Sequence, residues 1–371
     1  MKTKILFIST LYSPFQIDVV NSFEQEPGQF EYHIAFTLNA ASHRGAHWRS
    51  HAAGESQFIH TIDKDNGEEY KYEWVINLIQ KIKPTHIILG QWKRKLWYKL
   101  SDYAFQNNII YGYWMEPPNF LLPKAIQLIL KYYSAYRIRN ADFFLTIGDR
   151  CEANYQKIAS KKTKVLHLSY GQDLSRFLEV DTNNKDNSKV KFLFSGQLIK
   201  RHNIPWICKA IFELDKAHHN EFEVIIAAKG PHEKYITQLF KEKPKLHKII
   251  SYDRDYKNWE DRIRPFANAD VLIYPTSHSG WGLVIPEAMA AGVVVLSTNR
   301  AEAARYFLRH NINGKVLNMS YESLYENMRY CIINKDNLKR MSFQARKDSS
   351  YGSSEYVSKL LKSIFSKQLA Y

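Results

Sequence analysis

Two Rossmann-like domains of α/β class are what this sequence predicts, and three observations carry the prediction. Short apolar runs alternate with helical stretches from end to end, the rhythm of parallel, doubly wound sheets. That rhythm breaks once, at the polar, aperiodic stretch EVDTNNKDNSK of residues 179–189, which reads as a linker. The length of 371 residues suits two domains. The expected boundaries are 1–180 for the first domain, 190–345 for the second and 346–371 for a C-terminal helix. Ligands of open α/β sheets bind beyond the carboxyl ends of the strands, so the two parallel sheets are expected to face one another across an interdomain cleft.

The elements follow in order. MKTKILFIST begins with two lysines before an apolar run, as a signal peptide does, but Ser9 and Thr10 interrupt the run and a first strand is expected. YHIAFTL, THIILG, NIIYGYW, DFFLTIG and KVLHLSY read as further strands, with helical stretches such as YEWVINLIQKIK between them. After the linker VKFLFSGQL, FEVIIAAKG, KIISYD, DVLIYPT, VVVLST and GKVL form a second series. The tail SSEYVSKLLKSIFSKQLAY is amphipathic and should pack as a helix on one of the domains. No segment reaches the roughly 18 apolar residues a membrane span needs.

Hydrophobic residues make up 45% of the chain, which excludes a disordered composition and fills two cores. Cys151, Cys208 and Cys331 are far apart and fit neither a metal spacing nor a disulfide framework, so they read as buried thiols of a reduced, cytosolic protein. The net charge is +15, with 24 Lys and Arg against 19 Asp and Glu in residues 1–190 and 28 against 18 in the rest. This balance suits nucleotide phosphates, an anionic membrane surface or nucleic acid, or serves solubility alone. No basic run is long enough for a nucleic-acid tail, so nucleic acid is not the expected partner. LPKAIQLILKYYSAYRIRN sets Lys124, Lys131, Arg137 and Arg139 beside an apolar face, and WKRKLWYK adds Trp92 to Lys99. The helix reads either as packed on the first sheet or as resting on an anionic bilayer, and peripheral contact at the inner face of the cell membrane is the expectation carried forward.

The chemistry concentrates in PTSHSGWGLVIPEAMAAGVVVLST, Pro275 to Thr298. A strand ends, Gly280, Trp281 and Gly282 make a loop, and a helix starts near Pro286, where a missing N–H costs little. Such a loop turns free amides and the positive end of the helix dipole toward an anion such as phosphate. Glu287 has two readings: an acid that complements the dipole, or an acceptor for two neighbouring hydroxyls such as those of a ribose. In the first domain YGYWMEPPNF sets Glu116 between Trp114 and a Pro-Pro turn, as a surface acid or as a contact or base near an acceptor hydroxyl, with Tyr113 and Trp114 available to stack on a sugar. DRD at 253–255 is the nearest match to a metal-binding acid pair and reads as a loop, so no metal is expected. A dehydrogenase reading fails because no G-x-G-x-x-G follows an early strand.

GWGLVIPEAMAAGVVVLST followed by NGKVL resembles the donor-site signature of retaining family-4-type glycosyltransferases of GT-B fold. FLFSGQLIKRHNIPWICKAI, ANADVLIYPT, and ADFFLTIGDRCEANY with LSYGQDLSRF resemble the family's other landmarks in the family's order, over about residues 110–345. The resemblance implies metal-independent, cofactor-free transfer of a hexosyl group from a nucleotide sugar, a UDP-sugar by expectation. The acceptor would be a glycan or lipid-linked glycan in surface polysaccharide biosynthesis, on the cytoplasmic side. It implies that Glu287 holds the ribose hydroxyls, that Gly280, Trp281, Gly282, Leu283 and Val284 line the donor sugar and diphosphate, and that Gly196 opens a second phosphate loop. Three positions depart from the pattern. Ser279 stands where the family has a second glutamate, and Gln197 and His202 stand where it has an arginine and a lysine; Lys200 or Arg201 is expected to supply the charge, Arg201 in the catalytic role. Other readings are a nucleic-acid-modifying glycosyltransferase, favoured by charge alone, a nucleotide-sugar epimerase of the same shape, and a non-catalytic nucleotide-sugar binder, suggested by the three departures.

Overall fold

Two parallel sheets, each with its own core, hold the chain. The computed structural model describes residues 2–38, 56–64, 66–92, 94–116, 133, 136, 138–182, 188–256, 258 and 260–369. One unit comprises Met1–Asp173 with Gly352–Tyr371, the other Leu174–Tyr351. The division therefore falls at Asp173 rather than at 180, and the end of the chain joins the first unit.

The first unit contains β1 (Thr3–Leu11), β2 (Phe30–Leu38), β3 (Ile59–Thr61), β4 (His86–Leu89), β5 (Ile110–Met115), β6 (Phe143–Thr146) and β7 (Lys164–His167). They pair in the order β3-β2-β1-β4-β5-β6-β7, all parallel. Ile5, Leu6, Phe7 and Ile8 of β1 are all buried, because helices cover both faces of such a sheet and leave no polar side. The three-residue edge strand β3 carries no apolar run and is invisible in the sequence. α1 (Pro14–Gln25), α2 (Gly67–Ile82), α3 (Lys95–Gln106) and α4 (Asp149–Gln156) belong to this unit. In α2 Val75, Leu78, Ile79 and Ile82 face the core at helical spacing.

The aromatic residues expected at a membrane lie elsewhere. Trp92 and Trp97 are buried in the core, and Lys99 pairs with Glu69 at 2.7 Å, so the WKRKLWYK stretch does not offer those two tryptophans to a bilayer. Lys124, Lys131 and Arg137 of the second basic stretch lie outside the described residues. Among the described residues no helix is long and apolar enough to cross a membrane.

The second unit contains β8 (Val190–Gln197), β9 (Phe222–Lys229), β10 (Ile250–Tyr252), β11 (Val271–Tyr274), β12 (Val294–Thr298) and β13 (Gly314–Leu317), parallel in the order β10-β9-β8-β11-β12-β13. Its helices of six residues or more, among the described residues, are α5 (Ile204–Ala217), α6 (Glu233–Glu242), α7 (Val284–Ala290), α8 (Glu302–Phe307), α9 (Tyr321–Ile333) and α10 (Lys335–Asp348). The core runs from Phe192 and Phe194 of β8 through Val271 and Ile273 of β11 to Leu324 and Met328 of α9. The connections leave β8 on one side and enter β11 on the other, so the sheet has its topological switch point between these two strands.

α10 continues through the expected boundary at 346, and Arg346 donates to the Val180 carbonyl at 2.8 Å. The final helix α11 (Ser354–Ser363) packs in the first unit. Ser353 caps it by accepting from the Tyr356 amide, and Ser22 of α1 donates to the Ser354 hydroxyl at 2.9 Å. Beyond it Phe365 packs against His86 and Phe143, and His86 Nε2 lies 2.7 Å from the Leu369 carbonyl. Cys151, Cys208 and Cys331 are free and buried.

Candidate functional site

The loops after β8 and β11 meet at the switch point of the second unit. Gly196, next to last in β8, has φ +141, a conformation that L side chains rarely adopt, and a side chain there would meet no neighbour within 4 Å. A short 3-10 turn, Lys200–His202, follows, and Asn203 at φ +50 redirects the chain into α5. Asparagine tolerates this left-handed geometry better than most residues. The Asn203 amide donates to the Pro275 carbonyl at 2.8 Å, and the Arg201 carbonyl accepts from the Ser277 amide at 2.7 Å and the Thr276 hydroxyl at 3.2 Å. The backbone that carries Arg201 is thereby bound to the loop that leads to Gly280. Gly196, Gln197, Lys200 and Arg201 are exposed, so the turn offers two cations beside an open glycine.

His202 behaves differently from its neighbours. It is buried between the rings of Phe194 and Tyr274, at centroid distances of 5.9 and 5.0 Å. Burial, with the charge of Arg201 adding to it, pushes its imidazole down to about 3. It is a neutral ring of the core at ordinary pH and cannot stand in for a phosphate-binding lysine.

The glycine loop is buried at Ser279 and Trp281 and partly accessible between and beyond them. Trp281 turns into the core against Tyr306 and Phe307, with centroids 5.8 Å away, while its carbonyl accepts from the Ala303 amide at 3.1 Å. Gly280, Gly282, Leu283 and Val284 remain partly accessible, and Gly282 has φ +107. Ser279 is buried: its amide donates to the Arg300 carbonyl at 3.2 Å and its hydroxyl bonds to buried Tyr274. α7 then runs through the interior, with Ile285 to Ala290 all buried, which accounts for its small residues. Gly292 at φ +68 closes it as a left-handed cap.

Glu287 is the one carboxylate in that helix and is 5% exposed. Its Oε1 accepts from Arg262 Nη2 at 2.8 Å. No local sequence pattern announces Arg262: it lies outside any helical or strand period shared with Glu287. Asp253 and Asp255 of the DRD loop are each met by a cation, Arg264 at 2.9 Å and Lys229 at 2.7 Å.

In the first unit Glu116 is exposed just beyond β5 and adds to the upward shift that burial imposes on the Tyr170 hydroxyl. Tyr113 and Trp114 are core residues, and Trp114 Nε1 donates to the Leu168 carbonyl at 3.1 Å, so neither presents a ring to a sugar. Alternation along β5 could not reveal this, because a parallel strand is buried on both faces.

Two doubly wound parallel units with a glycine loop at the switch point of the second define a protein of GT-B architecture. The fold matches sucrose-phosphate synthase (tll1590) from Thermosynechococcus elongatus over 99% of each chain, with a TM-score of 0.75 at 13% identity. It also matches Anabaena Alr3699/HepE in complex with UDP and glucose over 98% of this chain and 99% of that one, with a TM-score of 0.70 at 13% identity. Residues 175–348 match the family glycosyl transferases group 1. The lipopolysaccharide core biosynthesis glycosyltransferase LpsE of Rhizobium meliloti is 36% identical over 84 residues, 21% of this chain and 24% of that protein. The chain spans about a third or less of the length of the curated relatives it matches.

Proposed function

We propose that this protein is a retaining glycosyltransferase that moves a sugar from a nucleotide sugar, a UDP-sugar by preference, to a glycan or lipid-linked glycan acceptor in surface polysaccharide assembly. The observation that carries the reading is the buried carboxylate of Glu287, three residues after the partly accessible stretch Gly282 to Val284, within the region that matches the family. The likeness to HepE, solved with UDP and glucose, supports a uridine nucleotide, and the likeness to LpsE supports a surface glycan.

In the transfer the bond from the anomeric carbon to the diphosphate oxygen breaks, and the acceptor oxygen bonds to that carbon on the same face. Negative charge grows on the departing diphosphate, and preorganised donors and cations stabilise it there. The amides of the Gly280–Val284 loop and the side chains of Lys200 and Arg201 are the groups assigned to it. The acceptor proton leaves to the diphosphate or to a carboxylate, a role assigned to Glu116.

A thermal-shift screen of free nucleotides and nucleotide sugars tests the reading. A ligand at a hundred times its dissociation constant stabilises by about 2.7 kcal/mol. A shift with UDP and UDP-sugars, followed by transfer to a glycan acceptor, is expected; no response to any nucleotide sinks the proposal.

A further inference from the structure

The proposed transfer gives Arg262 no role, yet Arg262 holds the residue on which nucleotide recognition depends. It stands in the turn Glu260–Ile263 and donates to Glu287 Oε1 at 2.8 Å, with side-chain exposures of 19% for the arginine and 6% for the glutamate. Buried ion pairs are inefficient supports for a fold. Desolvation offsets their attraction, and apolar residues of similar volume serve as well or better. Apolar packing is what the rest of α7 uses, with Ile285, Pro286, Ala288, Met289 and Ala290 all buried. A carboxylate among them therefore calls for a reason other than packing, and its place in the first turn after the glycine loop supplies one.

The arginine is itself set in a row of ion pairs. Arg264, two residues on, donates to Asp253 Oδ1 at 2.9 Å and to the Asp255 carbonyl at 3.1 Å. Asp255 meets Lys229 at the end of β9 at 2.7 Å, and Arg254 meets Glu233 at 2.7 Å. The loops after β9 and β10 are thus tied to the turn that carries Arg262.

We infer that Arg262 is a positioning residue for the donor nucleotide: its guanidinium aims the Glu287 carboxylate so that it accepts both ribose hydroxyls. The inference rests on the proposed function, in which Glu287 takes the ribose. A planar guanidinium fixes a carboxylate in direction as well as in charge, which a flexible ammonium does not.

The test is calorimetric titration of the full chain with UDP and with 2′,3′-dideoxy-UDP. The wild type is expected to prefer UDP by about tenfold or more, the worth of hydrogen bonds to a charged acceptor. In Arg262→Met that preference should fall to within about threefold of parity, because the bonds that depend on an aimed, ionised carboxylate are the ones lost. A merely structural arginine would lower stability, or weaken both ligands alike, and leave the preference intact; that result overturns the inference. Should the methionine variant fail to fold, Arg262→Lys, which keeps the counter-charge but not the planar guanidinium that fixes direction, is judged by the same ratio. A wild type that binds no nucleoside diphosphate overturns the proposed function and the inference with it. A wild type that binds both ligands equally overturns the ribose role of Glu287 and leaves glycosyl transfer standing.

Discussion

In the proposed transfer Glu287 answers to two demands, the ribose hydroxyls of the donor and the counter-charge of Arg262. Glu287→Gln keeps the shape and one acceptor but loses the charge. Nucleotide affinity is expected to fall roughly 10- to 100-fold by calorimetry, since hydrogen bonds to a charged group are worth about 1.5–3 kcal/mol. The same change leaves Arg262 without its counter-charge, and breaking a buried pair costs as much as about 3–5 kcal/mol, so denaturant stability should fall as well. An acid that served only to complement a helix end would cost a few tenths of a kcal/mol and leave binding unchanged. His202 supplies a second prediction. Its folded value of about 3 lies below the ordinary 6.5, so between these values the unfolded chain takes up a proton that the native imidazole refuses. Its contribution is complete above about pH 6.5 and is lost as pH falls, at up to about 1.4 kcal/mol per pH unit. His202→Phe should flatten the acid limb of the stability curve and leave nucleotide affinity unchanged. A loss of affinity in that variant would return His202 to the donor site.

At the scale of elements, α11 decides whether the first unit is whole. Val357 and Leu361 are fully buried there, and Ile364 and Phe365 nearly so. The contact is tightest at Gly171, where an added Cβ would lie 2.8 Å from Val357 Cβ and 2.9 Å from the Ser353 carbonyl. Gly171→Ala is therefore expected to destabilise the first unit by about 1–3 kcal/mol, the usual cost of overpacking. Val357→Ala in the same chain should recover only part of that loss, because it removes Cγ2, also 2.8 Å from the added Cβ, while Val357 Cβ and the Ser353 carbonyl stay in place. Urea titration of the single and double variants measures both terms, and additive losses would mean that the clash is relieved elsewhere. The loop from Gly196 to Asn203 is held by backbone carbonyls of Pro275 and Arg201, so substitutions at the exposed side chains of Lys200 and Arg201 should leave the element intact and act on the ligand.

For the whole molecule, a net charge of +15 favours anionic partners over cationic ones. In the proposed transfer the leaving diphosphate is met by loop amides and by Lys200 and Arg201, so activity is expected to persist in excess chelator. Activity that falls to background and returns with magnesium or manganese would assign that charge to a metal instead. Association with anionic vesicles should weaken as salt rises, since exposed charges are screened within about 10 Å at 0.1 M. With Trp92 and Trp97 in the core, this association would be electrostatic, and equal partition onto neutral vesicles would count against it.

The type and order of the elements were legible because their signals are local. Apolar runs of strand length, helical spacing and glycine or proline punctuation each act within a few residues, and the glycine loop with its single acid stood out for the same reason. The first sheet's edge strand left no such signal, having neither an apolar run nor an alternation. Tertiary structure alone decided the rest, because facing and partnership depend on residues that the chain brings together from afar. Gln197, Lys200 and Arg201 face outward while His202, their neighbour, turns between Phe194 and Tyr274. Tyr113 and Trp114 look like a sugar platform in sequence and are core in a strand covered on both faces. α11 returns to the first unit across the whole of the second, a closure that no window of sequence contains. The guanidinium that holds Glu287 comes from a separate turn, since a buried charge must find its counter-charge wherever the fold provides one.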